Sequence, residues 1–202
     1  MEKFFHLPIE KQRKIIDAAI NCFGANGYKK TSVSDIASAA GISKAMVFHY
    51  FGSKKDLYYY LIDYTSDIIL KEVSENFDKS VTDFFERIRM ITEIRIAVLK
   101  RHQGLFSFLY SVYQEREEEV REGAQRINRK GEIFKNVTSF ADMDSSKFKE
   151  GTDPRLVMKM LRLIGEGYAN YINKGMTLED VTEEFQQILQ LLRSNLYREE
   201  YI

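Results

Sequence analysis

Three helix-start signals follow one another between Ser32 and Asp56, each set off from the next by a glycine. Ser32 and Asp35 form a capping box, the hydroxyl and the carboxylate satisfying free backbone amides reciprocally. Val33, Ile36, Ala37 and Ala40 then repeat at helical spacing, and Gly41 stops the helix after about two turns. Ser43 restarts the chain as an N-cap, and a further short helix runs to about Phe51. Gly52-Ser53 breaks again, and Ser53 with Asp56 makes a second box. Two short helices joined by a turn of about three residues that contains glycine form a helix-turn-helix.

The rest of the chain extends this helical reading. Pro8 stands where a first helical turn tolerates it. Ile16, Ala19, Ile20 and Phe23 follow as an apolar stripe, which Asn26-Gly27 ends. A helix over 54–76 has no breaker and spans roughly 35 Å. Further helices are predicted at 80–100, 103–114, 116–140, 154–174 and 178–197, with 141–152 as a loop; Thr177 and Asp180 box the last. Only two prolines occur, Pro8 and Pro154, and no window alternates like a strand. The fold class is therefore all-α: about nine helices, with a three-helix head at 1–52 and a helical body at 53–202.

Charge refines this division. The net charge is formally zero, yet residues 1–60 carry eight Lys and one Arg against five Asp or Glu. A basic head on an acidic body suits a protein that presents one end to a polyanion. Cys22 is the single cysteine, which excludes an internal disulfide and zinc-finger spacing. No apolar run is long enough for a bilayer, and Met1-Glu2-Lys3 does not open a secretion signal, so the expected compartment is the cytoplasm.

Helical period assigns faces within the head. Ile42, Val47 and Phe51 fall on one side of the helix that Ser43 opens and pack inward. Lys44, Ala45, Phe48 and His49 then face outward. Small and polar residues on an outward face are what a recognition helix needs for close approach and for base edges. Lys44 donates to guanine acceptors, Ala45 reaches a thymine methyl, and His49 donates to a base or a phosphate. The amino ends at Ser32 and Lys54 offer free amides and a cation to phosphates.

Ala18-Ala19 to Phe23, Gly27-Tyr28, Thr31-Ser32-Val33, Ile36-Ala37, Ala40-Gly41-Ile42-Ser43, Phe48-His49-Tyr50-Phe51, Lys54 and Leu57 together resemble the tetracycline repressor (TetR) family. The resemblance implies a repressor that binds a palindromic operator in double-stranded DNA as a homodimer and is released by a small-molecule inducer. Carried over residue by residue, it adds Thr31 and Tyr50 to Ser32, Ser43, Lys44, Ala45, Phe48, His49 and Lys54 as DNA-binding candidates. One position departs from the family pattern: Phe48 stands where Tyr is usual and cannot donate to a phosphate, so either the hydroxyl of Tyr50 serves instead or affinity is lower.

In the body, Val181, Phe185, Ile188, Leu189, Leu192 and Leu196 make a long apolar stripe. On helix 154–174 the apolar residues spread over two faces, which asks for cover from two sides. The resemblance makes the second cover a partner subunit, with Leu161, Tyr168, Phe185, Ile188 and Leu192 at the interface. Phe106, Phe108, Tyr110 and Tyr113 crowd one short helix. Aromatic linings with a few polar tips suit ligand pockets, so Phe106, Tyr110, Tyr113, Phe134 and Tyr168 are ligand candidates; plain core is the equal alternative. Glu166, between Gly165 and Gly167, would favour a cationic ligand if buried. The run Glu115–Glu119 reads as a solvated helix start.

Enzyme chemistry finds no footing. His6, His49 and His102 stand far apart without metal-ligand partners, and no glycine-rich phosphate loop or nucleophile elbow occurs. Neither a cofactor nor a metal is expected. At this level a ligand-binding or enzymatic bundle with an accidental head stays open, as does a nucleoid protein without sequence preference.

Overall fold

A computed structural model describes residues 1–102, 104–127, 129–130, 143–173 and 175–202. Its helices, in chain order, are α1 (Glu2–Phe5), α2 (Ile9–Lys30), α3 (Val33–Ala40), α4 (Lys44–Phe51), α5 (Lys54–Asn76), α6 (Phe84–Arg101), α7 (Leu105–Gln114), α8 (Pro154–Asn173) and α9 (Leu178–Leu196). Among the described residues no strand forms, and no helix is long and apolar enough to cross a membrane. The fold is all-α.

The chain divides into two compact units, Met1–Lys71 with Arg101–Phe134, and Glu72–Lys100 with Lys135–Ile202. The first is larger than the head expected at 1–52, because α7 packs on α2. Gly24 makes that approach tight: a Cβ there would stand 3.0 Å from the backbone nitrogen of Phe108 and 3.2 Å from the carbonyl carbon of Ser107. The buried stripe Ile15, Ile16, Ala19, Ile20 and Phe23 of α2 is the spine of this unit. Val33, Ile36, Ala37 and Ala40 of α3 and Val47, Tyr50 and Phe51 of α4 close over it.

The four-residue α1 lies outside the sequence expectation. Phe4 anchors it, fully buried, with its ring centroid 4.8 Å from Phe51, 5.8 Å from Tyr60 and 6.2 Å from Tyr50. A second correction concerns 116–140. Glu115 and Glu117 are extended, a 3₁₀ turn covers Glu118–Val120, and residues 123–127 are helical. Arg126 pairs with Asp63 at 2.8 Å and lies 4.3 Å over the Tyr59 ring, which seats this stretch on α5. Residues 131–142 lie outside the described set.

The second unit has its own core. Phe84 of α6 meets Phe148 edge-on at 5.3 Å, Phe85 meets Tyr197 at 5.0 Å, and Phe148 meets Tyr197 at 4.9 Å. Helix α6 starts four residues later than expected because Asp83 caps it, accepting from the Glu86 amide at 3.1 Å. The other oxygen of Asp83 takes Lys147 at 2.9 Å, and these contacts hold the carboxyl below its usual range against the opposing effect of burial. The stretch expected as a loop contains a 3₁₀ turn at Ser145–Lys147, and Phe148 pairs with Tyr197 in an isolated antiparallel bridge. Val157, Leu161 and Tyr168 of α8 and Val181, Phe185 and Leu189 of α9 complete this core.

Candidate nucleic-acid interface

Local chemistry builds the two short helices as the sequence implies. Ser32 Oγ accepts from the Asp35 amide at 3.1 Å and Asp35 Oδ2 accepts from the Ser32 amide at 3.2 Å. The hydrogen bonds that the Asp35 carboxyl accepts from the Ser32 hydroxyl and amide hold it below its ordinary value. Gly41 takes the left-handed conformation that ends α3. Ser43 Oγ then accepts from the Met46 amide at 3.3 Å to start α4. Each such cap is worth about 1 kcal/mol.

On α4, Val47 and Phe51 are buried, and Ile42 in the preceding turn is half-buried against the same core. Lys44, Ala45 and His49 are exposed, and Phe48 shows 42% of its surface. A cation, a methyl, an aromatic ring and an imidazole thus share one open face of a rigidly capped helix. Ser32 and Ser43 are also exposed, with their hydroxyls committed to caps.

Two candidates turn inward. Thr31 is 2% exposed, and its hydroxyl faces the carbonyls of Gly27 at 2.7 Å and Cys22 at 2.9 Å. Tyr50 is 3% exposed, packed on Phe4 and Phe51. Both side chains are thus buried in the head, whereas Phe48 lies open on the face of α4.

Lys54 is divided between two tasks. Its ammonium donates to the carbonyls of Tyr28 at 2.9 Å and Thr31 at 3.1 Å, and lies 4.1 Å above the Tyr28 ring. Two of its three N–H directions are therefore spent within the head. Its charge still sits at the half-exposed amino end of α5.

A residue expected in a solvated helix start closes the same turn from the other side. Glu115, just past α7, accepts the Tyr28 amide on Oε2 at 2.8 Å. Its Oε1 accepts the amides of Arg116 at 2.9 Å and Glu117 at 3.0 Å. Burial raises the Glu115 pKa, but the surrounding backbone N–H groups outweigh it and hold the carboxyl below the usual range. Lys29 and Glu117 add an ion pair at 2.8 Å. Only a contact across 87 residues reveals this role.

Residues 15–61 match the model of the family described as bacterial regulatory proteins, tetR family. The chain belongs to the TetR family. The match spans α2, α3, α4 and the start of α5, which carry the capped pair and its open face. The Fatty acid metabolism regulator protein of Bacillus subtilis (strain 168) is 25% identical over 194 residues, covering 93% of this chain and 96% of that protein. The negative transcriptional regulator IcaR of the biofilm operon icaADBC from Staphylococcus aureus (strain Newman) is 25% identical over 148 residues, 73% of this chain and 78% of its own. The FadR regulator from Bacillus subtilis, solved in complex with stearoyl-CoA, superposes with a TM-score of 0.68 at 22% identity, covering 88% of this chain and 96% of that one. Membership makes this TetR-family chain a DNA-binding transcription regulator and not an enzyme.

The remaining candidates of this TetR-family member fall in both units. On α7, Phe106 and Tyr110 are half-buried and stack at 6.2 Å, and Tyr113 is exposed. The ring that α7 sends into the core is Phe108. Phe134 lies outside the described residues. Glu166 is exposed and paired with Arg162 at 2.5 Å, so the buried carboxylate imagined for a cationic ligand is absent. Tyr168 is buried in its own unit and donates to Glu184 Oε2 at 3.2 Å; burial, then that partner, raises its pKa. Leu161 and Phe185 are likewise buried there, with Ile188 and Leu192 half-buried against them. The apolar residues left open on α8 and α9 are Leu156, Met160, Leu163, Tyr171 and Leu191.

Proposed function

We propose that the chain is a cytoplasmic homodimeric repressor, which holds a palindromic operator through α4 of each copy and releases it when a small molecule binds the body at 53–202. The observation that carries this reading is the open face of α4, with Lys44, Ala45, Phe48 and His49 on a helix capped at its first residue. Repression is supported by the relative named as a negative regulator. A largely apolar ligand is supported by the stearoyl-CoA bound to the Bacillus subtilis regulator and by the stacked, half-buried Phe106 and Tyr110. Helix α5 is one continuous rod from Lys54 to Asn76. A ligand acts through such a rod only by its different affinity for two arrangements of it, and a coupling of roughly 1–3 kcal/mol is ordinary.

Selection of bound duplex from a randomised pool tests the reading, because a two-fold dimer draws out inverted half-sites. Lys44→Ala is expected to relax preference at one or two base positions and to cost about 1–3 kcal/mol on the selected duplex. Lys54→Ala is expected to weaken selected and random duplexes alike, lowering the slope of log affinity against log salt by about one unit. It also lowers thermal stability, since the Tyr28 and Thr31 carbonyls lose their cation. Recovery of no preferred sequence, with Lys44→Ala indistinguishable from wild type, overturns the assignment of α4.

A further inference from the structure

The last turn of α2, beyond its kink at Gly27, continues through Thr31 and delivers the chain to Ser32, the N-cap of α3. Gly27 leaves the helix with φ 70° and ψ 177°, a backbone that side chains other than hydrogen rarely adopt. This turn carries its polar groups to two different anchors. Its carbonyls at Tyr28 and Thr31 go to Lys54 at the start of α5. Its amide at Tyr28 goes to Glu115, which also ties the backbone of Arg116 and Glu117 immediately after α7. One carboxylate thus joins the entry of the DNA-reading pair to the end of a helix far along the chain.

We propose that Glu115 is a positioning residue for DNA binding. Resting on the reading of α4 as the recognition helix, the proposal makes the seat of α3 and α4 depend on where the segment after α7 holds Tyr28. A displacement of that segment is then felt at the operator without any contact of its own with DNA. A charge argument separates this from a bystander role. Glu115 is an anion in a unit whose first sixty residues are basic. As a bystander, its removal strengthens attraction to a polyanion. As a positioning residue, its removal weakens binding, because the binding-competent seat is populated less often and apparent affinity falls by that fraction.

The test uses the full chain, the duplex it selects from a randomised pool, and a random-sequence duplex. For Glu115→Ala, affinity for the selected duplex is expected to fall about tenfold at temperatures where the variant is fully folded. Base preference and salt slope stay as in wild type, and the Tyr28 amide loses protection from hydrogen exchange. Glu115→Gln keeps one acceptor oxygen and is expected to restore part of both the affinity and the protection. Unchanged or tighter binding by either folded variant, with the Tyr28 amide exposed, overturns the proposal. A fall in melting temperature with affinity per folded molecule unchanged overturns it equally, since that is a purely structural role. If Glu115→Ala does not fold, Glu115→Gln is held to the same criteria. Lys44→Ala is the control: if it alters base preference while the Glu115 variants bind as wild type, the proposal falls and the reading of α4 stands. If Lys44→Ala is silent too, that reading falls.

Discussion

Leu163→Asp combined with Leu191→Asp is expected to make the protein monomeric and to lower its affinity for the selected operator about 100-fold or more, the size of a lost second attachment. The physical basis is the two apolar stripes of α8. Val157, Leu161, Ile164, Tyr168 and Ile172 face the core of the unit. Leu156, Met160, Leu163 and Tyr171 repeat the same spacing one residue earlier and stand open, Leu163 at 52% and Tyr171 at 60% exposure. Gly167 completes that second stripe, with nothing within 4 Å of where its Cβ would be. Leu191 of α9 is open as well, at 63%. An apolar ridge of this length, flanked by the Arg162–Glu166 pair, has the composition of an interface and is costly to leave wet. Ile188 and Leu192 suggest themselves from sequence as sites for the same experiment. They are half-buried against the unit's own core, so a carboxylate there damages the fold before it reports on association. The exposed pair keeps far-UV circular dichroism near wild type, and any fall in melting temperature is that of losing the partner, seen as a melting temperature that no longer rises with protein concentration. Sedimentation of the wild type as a monomer at micromolar concentration sinks the dimer reading outright.

What the sequence makes legible follows from the range of the interaction that decides each feature. The caps at Ser32, Ser43 and Thr177 are settled by partners three residues away, so the boundaries of α3, α4 and α9 are visible in the string of letters. The open face of α4 is visible for the same reason, because period and two glycines fix it. Thr31 and Tyr50 are different. Whether a hydroxyl or a ring points to solvent or to the core was decided by Gly27, Cys22 and Phe4, and the family pattern alone favoured the groove. Helix α1 is too short to show a period, and only the burial of Phe4 gives it a reason to form. The acidic run after α7 read as solvated because its meaning lies in the amide of Tyr28. The first compact unit outgrew residues 1–52 for a related reason: the contact that enlarges it joins Gly24 to Ser107 and Phe108, and no local signal announces it.

The aromatic crowd on α7 shows composition misleading where period would have served, and it yields the largest effect expected on stability. Leu105, Phe108 and Val112 recur at i, i+3 and i+7 and are the buried residues of that helix. Phe106, Tyr110 and Tyr113 share its other side, half-buried or exposed. Phe108 is fully buried, with its ring 5.7 Å from Tyr58 and 6.4 Å from Phe23. Its backbone is already in contact with α2 at Gly24, so the helices have little room to collapse into a void. Phe108→Ala is therefore expected to cost about 3–5 kcal/mol, the range for a large aromatic removed from a well-packed core. Helix α2 is the spine on which α3 and α4 sit, and DNA binding is expected to fail together with the thermal transition of this unit. Phe106→Ala, which removes a ring on the outer side, is expected to cost roughly 1 kcal/mol or less and to leave binding of the unliganded protein to the selected duplex near wild type. Urea unfolding of both variants, followed by tyrosine fluorescence and by duplex affinity on the same samples, reads the contrast. Equal destabilisation by the two substitutions would mean that α7 presents both sides to packed neighbours. In that case the stacked pair Phe106 and Tyr110 belongs to the core and not to a ligand site.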